Sequence, residues 1–118
     1  MPDTKASTAG IHVAKVLAQL GIADEVALRL KIFPNGATAM GELAASKATR
    51  PIGCTQSTEI IATKGAKLSG VLPKGCDLAT TYTAGITTNA AHAREAQALI
   101  DLLTSAGARE ARARAGFL

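Results

Sequence analysis

Aromatic side chains are almost missing from this chain: one Tyr, two Phe and no Trp make up 3% of its 118 residues. A core without rings has to be filled by Ala, Leu, Ile and Val. The shortage also removes the stacking platforms on which single-stranded nucleic acids usually rest. Cysteine is scarce as well. Cys54 and Cys76 form no CxxC or Cys/His pattern, so no metal site is expected. Each lies in or beside an apolar stretch and reads as a small buried hydrophobe, with a disulfide between them left open. No apolar run approaches the length of a membrane span, which excludes direct membrane insertion. The opening "MPDTKASTAG" is not a signal peptide, so a complete chain would be cytoplasmic.

Catalytic signatures are absent too. There is no GxSxG, HExxH, Walker A or dinucleotide fingerprint, and the glycines of "GATAMGE" have the wrong spacing for a phosphate loop. His12 falls within a predicted helix near its apolar stripe and reads as structural; His92 reads as a surface residue. No enzymatic activity and no cofactor are expected.

What the chain does have is 47% apolar residues and a length that suits one domain, residues 1–118. Its formal net charge is +4, from cations that are mostly scattered. The one concentration, Arg109, Arg112 and Arg114, reads as the solvated face of a last helix, and nucleic acid is not expected as a partner. "STAGIHVAKVLAQLGI" predicts a helix capped by Ser7 or Thr8 and ended by Gly21. "ADEVALRL" and "NGATAMGELAASK" predict two more, and "STEIIATKG" a short one capped by Ser57 or Thr58 and closed at Gly65. The tail from Ala90 predicts two helices broken near Gly107. Between them "KIFP", "RPIGC", "KLSGVLP" and "TYTAGITT" predict strands. The alternation predicts an α/β fold, a three-layer sandwich around a mostly parallel sheet.

Three stretches share one design. In "KASTAGIHV", "PNGATAMGEL" and "GCTQSTEII" small or hydroxyl residues open a helix after an extended segment. Helix starts present unpaired N–H groups and partial positive charge, so such starts suit an anion. Ordinary capping accounts for some of these hydroxyls. It does not account for Gln56 or for the surplus at Thr55 and Thr58.

The order "STAGIHVAKVLAQLGIADEV", "IGCTQSTEI", "GVLPKGCDLATTYTAGI" and "LTSAGAREARARAGF" resembles the second half of a type II periplasmic solute-binding protein. It is most similar to the molybdate-binding family of ABC importers, from about Ser7 to Phe117. The resemblance implies one lobe of a periplasmic-binding-protein-like fold, with residues 4–80 as its core and 81–118 as a hinge-crossing strand and C-terminal helices. In that family two lobes close on an oxyanion held by backbone amides and hydroxyls. Contacts would fall at Ala9, Thr38 and Gln56, and the implied ligand-binding set is Ser7, Thr8, Ala9, Thr38, Thr55 and Gln56. Gln56 stands where the molybdate binders carry a tyrosine, which brings small carboxylates in beside molybdate-like oxyanions. The resemblance further implies a periplasmic location and, within a full-length protein, an ABC permease partner. A complete member would have another lobe ahead of residue 1, so the chain reads as a fragment or as a lobe whose exposed apolar surface is covered by a homo-oligomer or by domain swapping. The alternative is a non-transport dimeric half-domain with a structural or interaction role.

Overall fold

The computed structural model describes residues 1–117, which form two compact units, Met1–Leu78 and a second from Ala79 onward. In the first, α1 spans Thr8–Gln19. Ser7 is its cap, the hydroxyl accepting from the Gly10 N–H at 3.5 Å. Gly21 takes a φ of 69°, the left-handed geometry with which helices commonly end. α2, Ala23–Ala27, is a short turn of helix with Asp24 and Glu25 near its positive end. α3 spans Gly36–Ala44, capped by Asn35, whose Oδ1 accepts from the Thr38 N–H at 2.8 Å. α4 spans Ser57–Ala62; it stops at Thr63, whose hydroxyl donates back to the Glu59 carbonyl at 2.7 Å.

The buried apolar side chains of this unit come from three places: Val13 and Val16 on α1, Ala39 and Met40 on α3, and Pro2. Gly53 lies so close to α3 that a Cβ there would stand 2.6 Å from Met40 Cε and 2.8 Å from Leu43 Cδ2. Truncating Met40 to Ala would therefore open a void worth about 2–5 kcal/mol.

The expected α/β sandwich is not formed. Among the described residues there is no strand and no sheet, only an isolated parallel bridge between Pro2 and Phe33. The Phe33 N–H donates to the Met1 carbonyl at 3.0 Å as part of it, and beside it the Met1 amine donates to the Lys31 carbonyl at 2.9 Å. Of the four predicted strands, "KIFP" contributes this bridge, and "RPIGC", "KLSGVLP" and "TYTAGITT" form no ladder. The physical reason lies in what each element needs. A helix satisfies its own backbone, whereas a strand exists only with a neighbour supplying the opposite half of each hydrogen bond. Pro34, Pro51 and Pro73 each remove a donor within or beside these runs. The apolar residues that would have faced a sheet are left uncovered, with Ile52 94% and Val71 84% exposed.

In the second unit α5 spans Ala93–Thr104, a single 3₁₀ turn follows over Ala106–Ala108, and α6 spans Arg109–Arg114. Ser105 makes the break: its hydroxyl accepts from the Ala108 N–H at 3.2 Å and donates to the Leu102 carbonyl at 2.8 Å. Arg112 reaches back, its Nη1 donating to the carbonyls of Leu103 at 2.5 Å and Ser105 at 2.9 Å. The first bond reaches a carbonyl in the last turn of α5, where helices lack intrahelical donors, and the second adds to the one that the Ser105 carbonyl accepts from the Ala108 N–H at 3.2 Å. Arg114 pairs with Glu110 at 2.6 Å across one turn, and Tyr82 meets Phe117 edge to face with centroids 5.5 Å apart.

Candidate functional site

The leads into α1 and α3 run side by side through the Pro2–Phe33 bridge. Because the pairing is parallel, both segments travel the same way before turning into a helix. On the first, Asp3 Oδ1 accepts from the N–H groups of Lys5 at 2.7 Å and Ala6 at 2.8 Å. Those bonds favour the ionised form and hold the Asp3 carboxyl below its usual range. The same residue's carbonyl accepts from the Ser7 N–H at 3.1 Å, so Asp3 steers the chain into the cap. Gly10 then packs against this turn so closely that a Cβ would stand 2.0 Å from the Asp3 carbonyl oxygen.

The start of α3 meets the start of α4. Gly36, its first residue, is buried, and a Cβ there would fall 2.0 Å from Glu59 Oε2 and 2.2 Å from Thr55 Oγ1. Thr55 donates its hydroxyl to Glu59 Oε2 at 2.5 Å. Glu59 is thus a carboxylate in the first turn of α4, beside the first residue of α3, a position that the positive end of a helix favours.

The six candidate ligand residues fall as follows. Ser7 is the α1 cap, and Thr8 and Ala9 are the first two residues of that helix. Thr38 lies in the first turn of α3, its N–H donating to Asn35. Thr55 is engaged with Glu59. Gln56, not Ser57 or Thr58, holds the cap position of α4; it caps without a side-chain bond, and its carbonyl accepts from Glu59 at 3.1 Å and Ile60 at 3.2 Å. Sequence reasoning missed Glu59 and Asn35. Asn35 was legible as a residue of the preferred capping set directly before Gly36. Glu59 was legible as the residue one helical turn beyond Thr55.

A separate cleft of about 230 Å³ opens on the flank of α1, lined by Thr8, Ile11, His12, Lys15 and Leu78. His12 Nε2 donates to the Cys76 carbonyl at 2.7 Å, a bond spanning 64 residues of chain. Both cysteines are free thiols, and burial pushes the Cys54 thiol up, partly offset by the Met1 ammonium. Among the described residues no group of His, Cys, Asp or Glu could hold a metal ion, and no helix is long and apolar enough to cross a membrane.

No curated protein and no solved structure matches the chain. One family model does match, over residues 1–118. Its coverage of every element described above, from the Pro2 bridge to the Arg112 clamp, makes the chain a member of the bacterial extracellular solute-binding protein family.

Proposed function

We propose that the chain is a solute-binding module similar to the molybdate-type component of ABC importers. It takes a small anion at the starts of α1 and α3, and acts with an ABC permease in the full protein. The observation that carries this is the parallel pairing of the two leads at Pro2 and Phe33, which sets side by side the segments that run into two capped helices. The first N–H groups of each helix, at Thr8, Ala9, Gly36 and Ala37, have no intrahelical acceptor, the feature by which helix starts hold anions.

The Glu59 carboxylate beside Gly36 refines the ligand. A negative charge already stands at the α3 start, which weighs against a doubly charged oxyanion. It weighs for a small organic anion carrying its own hydrogen-bond donor, which Glu59 can accept. Calorimetric titration of the buffer-exchanged protein with molybdate, tungstate, sulfate and a series of small carboxylates and hydroxy acids tests the reading. Heat is expected from the hydroxy acids first; no heat from any of them refutes it.

The second reading, a dimeric half-domain without a transport role, is favoured by the exposure of Ile52 and Val71 on segments outside any helix or strand. A mass measurement in solution that returns only monomer refutes it.

A further inference from the structure

The cleft on the flank of α1 is built by a tether rather than by the helix alone. Thr8, Ile11, His12 and Lys15 are spaced by three, one and three residues, so all four share one face. That face becomes one wall of a cleft because the His12 Nε2–H holds the Cys76 carbonyl, which brings Leu78 opposite. A carbonyl only accepts, so this bond assigns the ring proton to Nε2.

The lining is polar at Thr8, His12 and Lys15 and apolar at Ile11 and Leu78. Lys15 has no acidic partner among the described residues. The nearest acid in sequence to the Leu78 wall, Asp77, is turned to its own loop, its Oδ1 accepting from the Gly75 N–H at 3.0 Å. The cleft is therefore cationic, with an aliphatic floor. Seven residues separate Thr8 from Lys15, about 10 Å along the axis. Helical side chains lean towards the N-terminus, which suits a lysine at this end of the face to serve the cleft ahead of it. At about 230 Å³ the cleft is smaller than the usual range for drug-sized ligands, which limits the occupant to a few heavy atoms.

We infer that this cleft is a binding site for a short-chain aliphatic carboxylate, distinct from the helix-start site although Thr8 borders both. The carboxylate pairs with the Lys15 ammonium and accepts from the Thr8 hydroxyl, and the alkyl chain lies against Ile11 and Leu78. His12 is a positioning residue: it holds the segment that carries Leu78.

The test is a residue-resolved NMR titration with sodium butyrate, sodium acetate and neutral butyramide. Butyrate is expected to move the amide signals of Thr8, Ile11, His12, Lys15 and Leu78 saturably. Acetate, lacking the chain, and butyramide, lacking the charge, should act more weakly. Lys15 is exposed, so Lys15→Gln should keep the spectrum elsewhere and weaken butyrate about fivefold, the upper end for one exposed ion pair. Equal response to butyrate and butyramide, shifts that do not saturate, or unchanged affinity in Lys15→Gln each overturn the inference. The helix-start reading is read separately, from the signals of Gly36, Ala37 and Thr38 in a parallel titration with small hydroxy acids. If those stay still while the cleft responds to butyrate, that reading fails and the cleft stands.

Discussion

Two glycines in α3 should respond to the same substitution with opposite signs. Gly41 has nothing within 4 Å of an added Cβ and lies in the helix interior. Gly41→Ala should therefore recover the propensity difference between the two residues, about 1 kcal/mol of added stability. Gly36 opens the helix, where the propensity gain is smaller, and its new methyl would collide with Glu59 Oε2 at 2.0 Å and Thr55 Oγ1 at 2.2 Å. Both obstacles are side-chain ends, so the backbone need not move. The relief is rotation of Glu59 and Thr55, which breaks the 2.5 Å bond between them. A hydrogen bond to a charged group contributes about 1.5–3 kcal/mol. The net expectation for Gly36→Ala is a loss of about 1–2 kcal/mol, placing the two variants about 2–3 kcal/mol apart. At about 4 °C per kcal/mol for a chain of this size, thermal midpoints would differ by about 10 °C. In a Glu59→Ala background the nearer obstacle is gone, so Gly36→Ala should cost clearly less there, a coupling that a double-mutant cycle measures directly. If Gly36→Ala stabilises as much as Gly41→Ala, or costs the same with and without Glu59, then α4 does not pack on the start of α3 and the geometry proposed for the helix-start site is wrong.

Three further outcomes are expected. Gly10→Ala should be costlier than Gly36→Ala, about 2 kcal/mol or more by denaturant unfolding, because its Cβ meets the Asp3 backbone carbonyl at 2.0 Å, which cannot rotate away. Arg112→Ala should remove the bonds to the Leu103 and Ser105 carbonyls and speed amide hydrogen exchange in the 3₁₀ turn and α6, leaving α1 and α3 unaffected. Burial raises the Cys54 thiol in the folded state, so above the ordinary thiol range, about pH 8.5, the unfolded chain loses its proton first. Stability should then decline as pH climbs from there towards the folded value, and Cys54→Ala should remove that part of the decline.

The helices were legible because their signals are local. Ser7 and Asn35 cap by bonds to residues three positions on, and Gly21 and Gly65 take the positive φ that their places after an apolar run suggested. The break at Ser105–Gly107 follows in the same way from a hydroxyl that caps one element while closing the previous one. The sheet was misjudged because β-branched runs such as "TYTAGITT" report only a preference for extension. Whether a partner lies alongside is not written in the run itself. For the site, capping hydroxyls could be read directly, but the meeting of Gly36 with Glu59 joins residues 23 positions apart and left no periodic trace. Gln56 drew attention for its chemistry, and the residue that contributes charge is Glu59, one turn further on.

The prolines that deny these segments a ladder have a second effect, on encounters between molecules. Extended, apolar and unpaired backbone is the template on which chains add to one another edge to edge, and the runs around Ile52 and Val71 are apolar, exposed and outside any helix or strand. Pro51 stands directly before the first and Pro73 two residues after the second, each interrupting the row of donors that an incoming strand would need. The same missing N–H groups that stand against a sheet among the described residues thereby make these runs a poor seed for an intermolecular one.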